Sequence, residues 1–381
     1  MKPEAPFNLQ LSGERFHVLY SIWGSEAEVT ACAKAMTIEE TVEYPEDVLP
    51  DGDIREKMTG QVEDISHAED QRWSVEISYA VETTSFELLQ FLNVVYGNIS
   101  MITNIRAESF TLPPSLARCF KGPRLGKNGL RKQLGVPERA ITATATKPMG
   151  LSSKVLAKMA YDYALGGLDI VKDDHGLSDQ RFAPFQERVR LCADAVAEAN
   201  AKTGGKCIYF PSVTAPADQV KERAYFAKEV GAGGLCIIPS LIGWDTTRML
   251  AEDDALGLPI ICHPSFHGAY SMYRRGGFSA HILYALLPRL IGADISIFPN
   301  YIGRFSGTLE DCQSTLRGCA DPMGHIKSCF GAAGGGVTLN TLPELSTQYG
   351  HDIVYLIGGG LHHGDSLVES CRAFRHFVDT H

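Results

Sequence analysis

The alternation of apolar and polar positions changes character partway along the chain. Before the Pro/Gly-rich passage 120–126, segments 17–22 and 73–80 alternate as half-buried strands do, whereas 25–36 and 86–96 repeat apolar residues at helical spacing. This pattern predicts a small α+β domain. Beyond the passage, β-branched apolar runs end in small or polar residues and alternate with amphipathic stretches such as 153–165 and 216–230. Eight such runs occur, at 140–147, 168–174, 207–214, 234–240, 259–264, 293–300, 328–336 and 352–360. Their ends lie roughly 24 to 40 residues apart, which is the length that a strand, a loop and a returning helix occupy. The expected fold is α/β: a smaller N-terminal α+β domain at 1–135 and a C-terminal (β/α)8 TIM barrel at 136–381. A doubly wound open sheet is the competing arrangement.

In a barrel, chemistry collects at the C-terminal ends of the strands. Those ends here carry Lys147, Lys172, Asp174, His175, His263, His267, Asn300 and two glycine clusters, 334–336 and 358–360. Gly335, Gly336, Gly358 and Gly359 lack side chains that would keep phosphate oxygens from backbone N–H groups, although tight turns also use glycine. Strand alternation sends Lys172 and Asp174 to the same side. Lys172 either pairs with Asp174 or, carbamylated by carbon dioxide, becomes an oxygen donor for magnesium. Lys147 is a candidate proton carrier or electrostatic catalyst, against the alternative of a surface lysine. His263 and His267 are candidate proton carriers or histidines satisfied by backbone groups. Arg304, in the loop after the sixth run, can close over developing negative charge or remain a solvated loop residue.

Composition narrows the partners. A formal charge of −10 over 381 residues argues against general affinity for nucleic acid or anionic membranes. No apolar run approaches the roughly 18 residues of a membrane span, and the first residues do not read as a signal peptide. Ten cysteines without a C-x-x-C pair fit reduced core thiols, so a cytoplasmic location is expected.

Taken in order, these residues resemble the large subunit of ribulose-bisphosphate carboxylase/oxygenase (rubisco) and its divergent relatives, the rubisco-like proteins, over nearly the whole chain. The family pattern Lys-Pro-Lys-Leu-Gly-Leu-Ser is similar to residues 147–152, one residue shorter, with Met149 aligned to the second lysine. Gly-Gly-Leu-Asp-x-x-Lys-Asp-Asp-Glu is matched by 166–174, with His175 in place of the glutamate. Tyr-Gly-Asn at 96–98, Phe-Lys-Gly-Pro at 120–123, His263 with His267, and the glycine clusters extend the match. The resemblance implies a homodimer, with higher oligomers open, whose active sites lie between one subunit's barrel and its partner's N-terminal domain; Asn98 and Glu39 would be lent across. It also implies Mg2+ held by carbamylated Lys172 and Asp174, with His175 at the third ligand position, Lys147 as proton-transfer residue, and His263 and His267 as substrate contacts.

Departures from the family pattern point away from carbon fixation. The second lysine appears as Met149, the mobile-loop lysine as Arg304 and the third metal ligand as His175. Glycine donors remain for one phosphate, while Pro264, Ile295 and Ile297 stand where the family places groups for a second. The expected substrate is a small phosphorylated sugar or sugar acid with one phosphate. The leading expectation is an enediolate-forming enzyme that cleaves a carbon–carbon bond, as decarboxylase or transcarboxylase/hydrolase of a 3-oxo sugar acid phosphate such as 3-oxo-isoapionate 4-phosphate. The alternative is an enolase or isomerase of a methionine-salvage sugar phosphate. A reading of another class is a non-catalytic sugar-phosphate sensor.

Overall fold

A computed structural model describes residues 9–381. In its first sheet, β1 (Arg15–Trp23) buries Phe16, Val18 and Tyr20 with the period of two visible in the sequence. It pairs antiparallel with both β3 (Arg72–Ala80) and β4 (Ile105–Thr111), and β2 (Gln61–Glu69) takes the edge beside β3. The helix Glu26–Glu39 starts at a capping box in which Ser25 and Glu28 each accept the other's backbone N–H. The sequence pattern does not mark β2, because six of its nine residues are polar or charged and nearly all stay exposed. An edge strand of that composition resists further pairing.

The eight expected runs each contain one strand of a parallel barrel: β5 (Ile141–Thr146), β6 (Ile170–Asp173), β7 (Ile208–Phe210), β8 (Leu235–Ile237), β9 (Ile260–Cys262), then β11 (Ile295–Pro299), β12 (Phe330–Gly334) and β13 (Val354–Leu356). Their order is β7-β6-β5-β13-β12-β11-β9-β8, and a parallel bridge between Ser212 and Cys236 joins the two ends. The ring excludes the open-sheet alternative. Inside it, Ile141, Ile170, Phe210, Ile295 and Phe330 share one apolar core. The remaining strand, β10 (Gly276–Phe278), belongs to the first sheet and pairs parallel with β4.

The chain groups into two compact units. One holds the residues up to Phe120 together with His267–Leu286 and Met323–Ile326; the other holds Lys121–Phe266, Leu287–Pro322 and Lys327–His381. This grouping differs from a single boundary after residue 135 for two reasons. The helix Gly126–Leu134 places Leu130 and Leu134 in the barrel core, and β10 is tied to β4 by backbone hydrogen bonds. Among the described residues, no helix is long and apolar enough to cross a membrane.

Candidate active site

Thr146, the last residue of β5, is buried, so Lys147 is the first side chain free to turn into the barrel mouth. Its Nζ lies 3.3 Å from Oδ2 of Asp174. On another side it rests against Gly358, where an added Cβ would come within 3.3 Å of Nζ. Any larger residue at 358 would therefore press on Lys147. Met149 is 54% exposed.

The end of β6 separates two roles by alternation. Asp173 belongs to a buried network: its carboxylate accepts from Arg188 Nε at 3.1 Å, Tyr209 Oη at 2.7 Å and the Ser212 N–H at 3.1 Å. Lys172, 2% exposed, donates from Nζ to the Asp173 carbonyl oxygen at 2.9 Å. Burial works against ionisation of Asp174. Even so, Lys172 first, then the Gly176 N–H, His175 and Lys147, hold its carboxyl below the usual carboxylate range.

His175 places Nδ1 3.2 Å from Oδ1 of Asp174, and its ring stacks on His263 with centroids 4.0 Å apart and planes at 11°. Burial lowers the basicity of His175; Asp174 opposes this, while Lys172, Lys147 and Arg304 reinforce it. The influence of Arg304 brings its loop into the electrostatics of the site, although its guanidinium is exposed over the Phe305 ring. His263 accepts the Ser265 N–H at Nδ1, so its neutral ring carries the proton on Nε2.

The glycine cluster after β12 is required by close approach. At Gly336, with φ +73°, an added Cβ would lie 2.8 Å from Gly303 Cα, in the loop that carries Arg304. The start of that loop is pinned by Asn300, whose side-chain oxygen accepts from Tyr349 Oη at 2.7 Å while its backbone bonds Gly334 and Gly303.

Three expected site residues belong to the first unit. Asn98 Nδ2 donates to Glu39 Oε1 at 2.9 Å, and the neighbouring Glu40 accepts the backbone N–H groups of Gly97 and Ile99. These two acids fix the Gly97–Ile99 turn that presents Asn98. His267 is 1% exposed, its ring 5.5 Å from that of Tyr284, and burial lowers its pKa to about 3. A ring neutral in the fold takes up a proton on unfolding below about pH 6.5, so its stability contribution falls as pH drops from 6.5 towards 3, by about 1.4 kcal/mol per unit. Thermal melts at pH 7.5 and 5.0 should show a smaller acid-induced loss in His267→Phe than in the parent. Equal losses would contradict this.

Two groups at the strand ends are not marked in the sequence. Arg188 lies in the first turn of the helix Phe185–Thr203, and His362, three residues after Gly359, meets Tyr163 Oη at 2.9 Å through Nε2. Among the described residues, no three His, Cys, Asp or Glu side chains form a group able to hold a metal ion. With Lys172 as a free amine, two ammonium groups face one carboxylate and a divalent cation does not fit. Carbamylation would exchange one of those positive charges for a negative oxygen donor and make the set of Lys172, Asp174 and His175 suitable.

Residues 126–380 match the ribulose bisphosphate carboxylase large chain, catalytic domain. The ribulose bisphosphate carboxylase-like protein 1 of Rhodopseudomonas palustris is 36% identical over 369 residues, 97% of this chain and 98% of its own. The 5-methylthioribulose-1-phosphate isomerase of Rhodospirillum rubrum is 34% identical over 363 residues, 95% of each chain. A crystal structure of a rubisco-like protein from Rhodopseudomonas palustris superposes with a TM-score of 0.87 at 34% identity, covering 96% of this chain and 98% of that one.

Proposed function

We propose, for a chain that belongs to the ribulose bisphosphate carboxylase large-chain family, an enzyme that forms an enediolate on a ketose monophosphate by proton transfer and returns the proton to a neighbouring carbon. The observation that carries this reading is the placement of Lys147 Nζ between Asp174 and Gly358. A proton carrier thus stands beside both a carboxylate and a glycine-lined strand end suited to one phosphate. The name of the Rhodospirillum rubrum relative, an isomerase of a ketose monophosphate, supports the same class. Met149 brings no charge to the position where the resemblance expects a second lysine, which supports a reaction without carboxylation.

In this reading the backbone N–H groups at Gly335, Gly336, Gly358 and Gly359 hold the phosphate. His263 offers Nε2–H to a substrate oxygen, and Lys147 takes and returns the carbon-bound proton. Cleavage of a 3-oxo sugar acid phosphate keeps one observation in its favour: Arg304 acts on His175 electrostatically and could hold a substrate carboxylate. Both readings are decided by one panel. Incubation with 5-methylthioribulose 1-phosphate and with 3-oxo-isoapionate 4-phosphate should give an isomer of the first and no carbon dioxide from the second. Carbon dioxide release would select cleavage, and no turnover of either would reject the enzyme reading in favour of a sensor.

A divalent cation held by carbamylated Lys172, Asp174 and His175 would supply charge to the enediolate oxygens when bound. Manganese binding, followed by electron paramagnetic resonance, is expected to tighten on adding bicarbonate in the parent protein and not in Lys172→Met. Bicarbonate-independent binding would contradict the carbamate. We also propose a homodimer in which Glu39 and Asn98 serve the partner's barrel. Mixed Asn98→Ala and Lys147→Ala subunits should regain activity that neither variant has alone, and a failure to complement after subunit exchange would contradict it.

A further inference from the structure

Tyr163, on the helix Ser153–Leu165, is buried with its phenol oxygen 2.9 Å from Nε2 of His362 and 3.4 Å from the Ala145 carbonyl oxygen. The rings meet edge-on, at 89° and 6.2 Å. Burial holds the phenol well above its ordinary pKa, so it keeps its proton. The contact with His362 is the shorter one. A phenol donating there makes Nε2 the acceptor, and the neutral imidazole must then carry its proton on Nδ1. His362 lies in the short helical turn Gly359–His363, directly after the glycines that end the last barrel strand. The titratable groups facing it are Tyr163, Lys147 and its neighbour His363; burial first, then Lys147 and His363, disfavour its protonation.

We propose that His362 is a further catalytic residue of this site, a neutral Nδ1–H donor to the substrate oxygen on which charge develops, oriented by Tyr163. The role rests on the enolisation described above. Lys147, once its ammonium has given a proton to solvent, takes the carbon-bound proton, and the C–H electron pair becomes the new carbon–carbon π bond. The carbonyl π pair moves onto oxygen, which the Nδ1–H hydrogen bond stabilises without transferring its proton. A neutral donor suits this place because an imidazolium would be a further positive charge beside Lys147.

The test combines a structural and a kinetic readout on the full-length protein. Nitrogen-15 NMR of the imidazole should show the Nδ1–H tautomer for His362, with the preference lost in Tyr163→Phe; an Nε2–H tautomer in the parent protein overturns the assignment. With 5-methylthioribulose 1-phosphate in D2O, His362→Ala, a change at an exposed position of that turn, should lower kcat by about 100-fold with KM within about threefold. His362→Gln, which keeps an N–H donor, should recover part of that loss. Exchange in the parent protein that survives intact in His362→Ala overturns the role of His362 alone. Absence of exchange in the parent overturns the enolisation reading and this role with it.

Discussion

Replacing Lys147 by alanine is expected to lower kcat by about 10³-fold while leaving the fold and substrate affinity nearly unchanged. The side chain is partly exposed at the end of β5 and fills no core space, so its loss opens no buried cavity. Its ion pair with Asp174 is replaced by the interaction of Asp174 with Lys172, which is the stronger influence on that carboxylate. What disappears is the group that can carry a proton between Asp174 and the Gly358 strand end. Lys147→Arg is an informative companion, since guanidinium keeps the charge but cannot give up its proton at any working pH. If Lys147 acted only as a positive charge, arginine would restore activity. The proton-transfer account predicts that arginine remains within about tenfold of alanine. Steady-state kinetics with thermal melts on both variants separates these cases.

The largest loss of stability is expected at Arg188. Arg188 and Asp173 are both fully buried, and their ion pair has Nε 3.1 Å from Oδ2. Removing the cation leaves a carboxylate without its charge partner in the barrel wall, which costs about 3–5 kcal/mol. Arg188→Met should therefore unfold at markedly lower denaturant than the parent protein. Asp173 also holds Tyr209 and the backbone at Ser212, so the strain extends along the ends of β6 and β7, where Lys172 and Asp174 are set. Adding Asp173→Asn to Arg188→Met should recover part of the loss, because the unpaired charge is gone. Denaturant melts that show Arg188→Met within about 1 kcal/mol of the parent would contradict the role assigned to this pair.

Much of the barrel was legible because its strands are buried and apolar, and polar residues enter only at their ends. That contrast marks β5 and β6 and, with them, Lys147, Lys172 and Asp174. The fold elements that escaped have no such contrast: β2 is mostly polar and exposed along its length, and β10 is the three-residue stretch Gly-Gly-Phe. Some of the site contacts that escaped depend on ring closure. β13 pairs with β5, so the last strand of the barrel lies beside the first, and only that brings Gly358 against Lys147 and His362 against Tyr163. Arg188 is separated from Asp173 by 15 positions, with no periodic mark in the sequence to join them. His267 shows the reverse case. A histidine four positions after His263 belongs by sequence to the same strand end, yet its segment groups with the first unit and its ring is buried against Tyr284.

In the proposed reaction the chain moves a carbon-bound proton on a ketose monophosphate through Lys147. Incubating the protein with 5-methylthioribulose 1-phosphate in D2O and following the carbon-bound hydrogens by NMR tests it most directly. Deuterium should enter a carbon adjacent to the carbonyl, without carbon dioxide release, in the parent protein and about 10³-fold more slowly in Lys147→Ala. Retention of every carbon-bound hydrogen by the parent, or exchange at the parental rate in Lys147→Ala, would contradict it.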